Sequence, residues 1–298
     1  MTVFVLGNAA VDLIYRVPRI PAPGESVLVE ARRLDLGGKG LNAAIAARRA
    51  GAQVRLSTVV GDDEHGHRIE AAIREEGIEI GALERRGGAS DESVILVTPD
   101  GENAILGFAP ASGTLSRTAA ETGMAAATAS DLLLLVGNLH RDVLAFALRL
   151  GRARRIPVLL NLAPVAFDYE GLWEWCDILV GNAAEVVLHG TGETPLEAAG
   201  ALLARGARAV LVTLGPRGAL WVEREQRIAV PAPEVAAVET TGAGDVLLGT
   251  FAALLDQGLA LRQALGVAVA AASLSVTRPG TVSAFPTVEE IHGLRGGR

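Results

Sequence analysis

The feature that most constrains this chain is a series of short β-branched or Leu-rich runs with little polar interruption. They are VFVLG (3–7), VRLSTVV (54–60), LLLLV (132–136), PVLLN (157–161), DILV (177–180) and AVLVTL (209–214). A strand with one wet face alternates apolar and polar residues, whereas a continuous apolar run suits a strand buried on both faces of a parallel sheet. Longer amphipathic or Ala-rich segments separate the runs, over 40–50, 65–76, 141–154, 196–205, 244–257 and 261–275. This alternation predicts an α/β fold: a doubly wound, mainly parallel central sheet with helices on both faces.

Two stretches break the rhythm. Residues 25–34, ESVLVEARRL, alternate in part, and 93–108, SVILVTPDGENAILGF, reads as two strands about the turn Pro99-Asp100-Gly101-Glu102. They predict one domain over 1–298 with strands inserted at about 9–36 and 88–110, forming a small sheet that acts as a lid. An antiparallel extension of the main sheet is the alternative. Val27, Val29, Ile95, Val97, Ile105 and Phe108 would form one apolar face of the small sheet. Such a face should cover a ligand, pair with a second subunit in a homodimer, or both.

Composition narrows the function classes. Half of the 298 residues are hydrophobic and 20% are charged, which supports a large core and excludes disorder. A net charge of −7 with 4% aromatic residues argues against a nucleic-acid partner. No apolar run is long enough for a clean membrane span, and the N-terminus lacks the basic start of a signal peptide. The single cysteine, Cys176, cannot form an internal disulfide, so a cytoplasmic protein with no membrane partner is expected.

Four motifs carry chemistry. In Glu239-Thr-Thr-Gly-Ala-Gly-Asp245, small residues lead directly into a helix pattern. Exposed backbone N–H groups at a helix N-terminus bind anions, and a carboxylate placed beside them suits a general base. Helix entry with a capping Asp is the other reading. Leu36-Gly-Gly-Lys-Gly-Leu-Asn-Ala43 also runs into a helix but is no Walker A loop, because Gly40 follows Lys39. It reads either as a ligand-approach loop or as a glycine turn with an exposed lysine. Asn182-Ala-Ala-Glu185 follows a strand at the sheet edge where α/β proteins bind ligands; it suits a hydrated Mg2+ or simple helix capping. Thr213-Leu-Gly-Pro-Arg-Gly218 is a loop able to line a nucleotide. By contrast, His65 and His67 read as a solvated helix start, and Arg152, Arg154 and Arg155 as charges complementing a helix C-terminus.

In this order, and with Gly7 to Asp12 as G-x-x-x-x-D before them and Thr277-Arg-Pro-Gly280 after them, the motifs resemble the ribokinase (PfkB-type) family of carbohydrate kinases. The resemblance covers nearly the whole chain. It implies a β-lid and transfer of the γ-phosphoryl group of ATP, with Mg2+, to a primary hydroxyl of a small sugar. Asp245 would be the base, and the backbone of Gly242, Ala243 and Gly244 the anion hole. Asp12, Gly38, Lys39 and Asn42 would hold the sugar. Asn182 and Glu185 would face the phosphates and Mg2+ through water, while Thr213, Gly215 and Gly218 would line the nucleotide. Glu239 and Thr241 fall where the family holds a monovalent cation, so K+ is a further candidate ion.

Departures from the family pattern concern the acceptor. The usual Asn two residues before the sugar-binding Asp is Ala10, the usual Gln after the sugar-binding Asn is Ala43, and Asn138 stands where a Glu is common. Glu239 replaces the usual Asp, which predicts weak dependence on K+. Ribose is the first acceptor to expect. The alternatives are a nucleoside kinase of the same family and a non-catalytic sugar- or nucleotide-binding regulator. Six Phe, three Trp and two Tyr offer little for a base clamp, and a regulator has no use for Asp245.

Overall fold

The computed structural model describes residues 1–101, 103–136, 138–164 and 169–296, so Glu102 of the expected turn lies outside the described residues. The strands are β1 (Thr2–Leu6), β2 (Ala10–Arg16), β3 (Ala31–Gly37), β4 (Gln53–Gly61), β5 (Glu79–Arg86), β6 (Asp91–Val97) and β7 (Asn103–Phe108). They continue with β8 (Leu132–Val136), β9 (Val158–Asn161), β10 (Ile178–Asn182), β11 (Ala209–Thr213), β12 (Ala219–Val222) and β13 (Arg227–Val230). The helices are α1 (Lys39–Arg49), α2 (Glu64–Glu75), α3 (Arg117–Gly123), α4 (Arg141–Ala153), α5 (Ala183–Gly190), α6 (Pro195–Ala204), α7 (Ala243–Asp256), α8 (Leu261–Ser275) and α9 (Val288–Gly296).

Among the described residues the main sheet has nine strands, ordered β13-β12-β11-β10-β9-β8-β1-β4-β5. From β11 through β5 every pairing is parallel, and β12 and β13 extend one edge antiparallel. The apolar runs became the inner strands: β8 is buried at every position, as is β9. Side chains from α1, α2, α7, α8 and α9 fill the core on one face, and those from α3, α4 and α6 fill it on the other. Helices α1 and α7 cross in backbone contact: a Cβ on Gly249 would lie 2.2 Å from the Ala43 carbonyl oxygen. That close approach sets the N-termini of the two helices side by side.

The four inserted strands form a sheet of their own, ordered β3-β2-β6-β7, and do not extend the main sheet. The strand expected over 25–34 is displaced. β3 begins at Ala31 because its partner β2 ends at Arg16, two residues before Pro18, and Ala31 is the residue that pairs with Arg16. Val27 and Val29 therefore lie outside the sheet. Register also separates the expected apolar face into two. Asp12, Ile14, Ser93, Ile95, Val97, Asp35 and Arg33 share one face, with Ile14, Ile95 and Val97 buried together. Leu13, Tyr15, Val94, Leu96, Leu106 and Phe108 share the other, where Leu106 and Phe108 are 61% and 59% exposed.

Candidate active site

In open α/β sheets, ligands bind at the carboxyl ends of the strands where the strand order reverses. Here the chain moves from β1 to β4 and β5 on one side, and from β8 through β11 on the other, so the switch lies between β1 and β8. The inner face of the small sheet and the N-termini of α1 and α7 converge beside it.

Glycines let the small sheet come this close. Gly38 is the N-cap of α1 with φ +87°, a conformation that L side chains rarely adopt, and a Cβ there would lie 2.7 Å from Ala10 N. On Gly37 a Cβ would lie 2.1 Å from Asp12 Oδ1. The Gly-Gly pair is thus the floor on which Asp12 rests. One residue on, Lys39 and Asn42 start α1 and turn toward α7. Asn42 Nδ2 donates to Asp245 Oδ2 at 2.8 Å, and Lys39 Nζ stands 3.8 Å from Asp245 Oδ1.

Asp245 lies in the first turn of α7, whose N-cap Gly242 is left-handed and whose N-terminus has no side-chain cap. A Cβ on Gly244 would meet nothing within 4 Å, so open space fronts this turn. The arrangement combines unclaimed helix-end dipoles, an ammonium group and a carboxylate: positive field for an anion, with a proton acceptor at its edge.

Asp12 is only 4% exposed. Burial pushes its carboxyl up from 3.8 to about 7, against hydrogen bonds from Thr281 and Ser93, and the nearby Asp35 and Asp245 charges raise it further. Thr281 Oγ1 donates to Asp12 Oδ2 at 2.8 Å. Across the pair β2–β3, Asp12 stands directly opposite Asp35.

The remaining expected residues spread along the carboxyl edge. Asn138 follows β8, and its Oδ1 is buried without a partner. Asn182 and Thr213 end the neighbouring strands β10 and β11 in register, and Gly215 and Gly218 bracket the turn that follows. Neighbouring strands are about 4.8 Å apart, so β11 stands about 19 Å from β1, a nucleotide's reach along the edge. Asn182 and Glu185 cap each other: Asn182 Oδ1 accepts from Glu185 N at 2.9 Å, and Glu185 Oε2 accepts from Asn182 N at 2.8 Å. The capping reading of this motif therefore holds in the structure. Only the second carboxylate oxygen of Glu185 remains for a water-bridged cation. Behind the α7 turn, Glu239 Oε2 accepts from Gly280 N at 2.9 Å, while Glu239 Oε1 and Thr241 Oγ1 are buried and unpartnered.

The profile of the pfkB family carbohydrate kinases matches residues 2–288. This chain belongs to that family. It is 32% identical over 299 residues to a deoxyribokinase of Salmonella typhi, covering 98% of each chain. It is 29% identical to the ribokinase of Haemophilus influenzae, covering 97% of this chain and 96% of that one. The solved ribokinase of Thermotoga maritima superposes with a TM-score of 0.85 at 26% identity, covering 99% of both chains. The chain is a carbohydrate kinase, and the nine-stranded sheet with its separate small sheet is the ribokinase-like fold.

Within this kinase site, sequence reasoning missed Asp35, Thr281 and Ser283, which bond to one another and to Asp12. The resemblance marked this loop at Thr277–Gly280 without singling out either hydroxyl. Nothing in the local pattern distinguished Asp35 from the other polar residues of its strand.

Proposed function

We propose that this kinase transfers the γ-phosphoryl group of MgATP to the primary hydroxyl of a pentose, ribose or its 2-deoxy analogue. The observation that carries the reading is Asp245, held by Asn42 and Lys39 at the mouth of an uncapped helix turn. Bound MgATP supplies the phosphoryl group, and its metal neutralises part of the phosphate charge. The backbone of Gly242, Ala243 and Gly244 receives the charge that develops on transfer, and Asp245 takes the proton from the acceptor hydroxyl. Asp12, Gly38, Lys39, Asn42 and Asn138 hold the acceptor in line, and Thr213, Gly215 and Gly218 line the nucleotide. Glu185, through its open oxygen, orients a hydrated Mg2+, an ion that keeps most of its own water. The unpartnered oxygens of Glu239 and Thr241 suit a hard monovalent cation such as K+.

The inner face of β2 supports the deoxy sugar. Ala10 shares that face with Asp12 and is buried, where ribokinases carry Asn, and Ala43 is buried as well. A pocket built to hydrogen-bond a hydroxyl rejects the sugar lacking it, because its own polar group is left unpaired. A methyl group at Ala10 imposes no such penalty. The similarity to a deoxyribokinase points the same way. A coupled ADP-release assay over pentoses, hexoses and nucleosides tests the reading. The expected result is the highest kcat/KM on deoxyribose or ribose, with Ala10→Asn moving the ratio at least fivefold toward ribose. Turnover confined to hexoses or nucleosides would overturn it.

Partners beyond the substrate follow from the outward apolar face of the small sheet. Leu106 and Phe108 suit a second copy of this chain, so the working form is a homodimer, and a cytoplasmic enzyme fits the buried Cys176, whose thiol burial pushes up.

A further inference from the structure

The loop that follows α8 is held by groups from three directions. Its backbone donates Gly280 N to Glu239 Oε2 at 2.9 Å, Thr281 N to Asp35 Oδ2 at 2.9 Å and Ser283 N to the same oxygen at 3.2 Å. Ser283 Oγ donates to Asp35 Oδ2 at 2.7 Å, and Thr281 Oγ1 donates to Asp12. From α1, Arg49 Nη1 donates to the carbonyls of Val282 and Phe285 at 3.4 and 3.2 Å. The far end of the loop leans on the anion-binding turn: a Cβ on Gly242 would lie 2.8 Å from Phe285 Cε1 and 3.2 Å from Thr281 Cγ2.

Asp12 and Asp35 stand directly opposite each other on adjacent antiparallel strands, both buried. Two carboxylates in that relation repel, and no arginine or lysine forms an ion pair with either among the described residues. Within the small sheet only Ser93 donates to Asp12 and Leu36 N to Asp35; the other donors to the pair come from Thr281 and Ser283 of the loop. Docking of the loop therefore supplies most of the donors that hold both acids over the cleft, and the loop touches the turn where phosphoryl charge develops.

We propose that Asp35 is a positioning residue, a latch that couples docking of the small sheet to the geometry of the Gly242–Gly244 turn through the Gly280–Phe285 loop. It deepens the kinase reading above and rests on it. Asp35 touches neither the acceptor nor the phosphates in this mechanism; its effect travels through Thr281 and Phe285 to the backbone of Gly242. Latching makes the lid more than a cover, because the anion hole reaches its working shape only with the sheet closed.

Asp35→Asn, Ser283→Ala and the double variant test it, with two readouts: steady-state kinetics, and hydrogen exchange of backbone amides in the protein without ligands. Charge-assisted hydrogen bonds are about twice as strong as neutral ones, so Asp35→Asn should lower kcat by about 10–100-fold. Pentose affinity measured by calorimetry should change less than threefold. Ser283→Ala should lower kcat less, and should add less than twofold in the Asp35→Asn background, because both act through one contact. Amide protection should fall in 280–285 and also in 240–244. A large loss of pentose affinity with kcat unchanged would make Asp35 a sugar ligand and overturn the latch. So would exchange that quickens in 280–285 but not in 240–244. Should Asp35→Asn fail to fold, Ser283→Ala alone carries the same two readouts. The exchange result stands without turnover, so a failure of the pentose reading is separable from a failure of the latch.

Discussion

Replacing Asp12 by Asn should stabilise the fold most where the enzyme needs the carboxylate most. Asp12 carries a carboxyl lifted from 3.8 to about 7, mainly by burial. Between those two values the native state holds a proton that the unfolded chain has released, so stability must fall as pH rises through the interval and level off above it. The full lift corresponds to about 4 kcal/mol. By linkage, about 2.5 kcal/mol of that loss falls between pH 5 and pH 8. Asn keeps the shape and an oxygen to accept from Thr281 Oγ1, but has no proton to lose. Urea unfolding of both proteins at pH 5, 6, 7 and 8 isolates the effect as a difference, because other titrations cancel. The stability of Asp12→Asn relative to wild type should rise by about 2.5 kcal/mol from pH 5 to pH 8. Over the same range pentose affinity of the wild type should increase, since only the ionised group is a strong acceptor for sugar hydroxyls. In Asp12→Asn that increase should vanish, and affinity at pH 8 should drop about 10–100-fold, the worth of a hydrogen bond to a charged group. A stability difference flat within 0.5 kcal/mol between pH 5 and pH 8 would refute the reasoning, since no like-charge or burial cost would then reside at Asp12.

Asp245→Asn should keep the fold and nucleotide binding and lower kcat by about 10²–10⁴, the usual range for a positioned general base; a variant retaining half the wild-type rate would remove Asp245 from that role. Exchanging K+ for a bulky organic cation at fixed ionic strength should lower the rate less than tenfold. Glu239 spends one oxygen on Gly280 N and shares a cavity of about 100 Å³ with the cationic side chains of Arg16 and Arg33; a drop of tenfold or more would show a selective site preserved. Charging the outward face of the small sheet with Leu106→Glu and Phe108→Glu should yield a monomer by light scattering at micromolar concentration, where the wild type should run as a dimer. A monomeric wild type would leave that face without its proposed partner.

Much of the fold was readable because burial on both faces writes itself into composition. The runs that became β1, β4, β8, β9, β10 and β11 have no reason to alternate, and nothing else needs so many aliphatic residues in so few positions. The strands that escaped notice are those with a wet side or little length. β5 reads EIGALERR and is half-buried along most of its length, and β13, four residues at the sheet edge, is buried at one position; β12, inside it, is simply short at four residues. One strand of the small sheet was misplaced for a related reason. Val27 and Val29 alternate well enough for a strand, but strand formation needs a partner, and β2 stops at Arg16. Pairing is a property of two segments that are distant in sequence.

The site divides in the same way. Backbone requirements were legible by themselves: the Gly37-Gly38 pair and the small residues entering α7 each announce a place where backbone must come close to something, and the structure gives Gly38 and Gly242 the positive φ that fits. Asp245 could be named because it sits next to such a place. Only the tertiary structure decided what surrounds each charge. The crossing of α1 on α7 at Gly249 brings Asn42 and Lys39 to Asp245, across more than 200 positions of chain. Register between β2 and β3 sets Asp35 opposite Asp12, and the loop after α8 arrives to satisfy both. A sequence determines which residues are apolar, which turns need glycine and which helix ends stand uncapped, since these are local costs. The field at a carboxylate is a sum over neighbours within a few ångströms, and in this chain those neighbours come from β2, β3, α1 and the loop after α8, which only folding assembles.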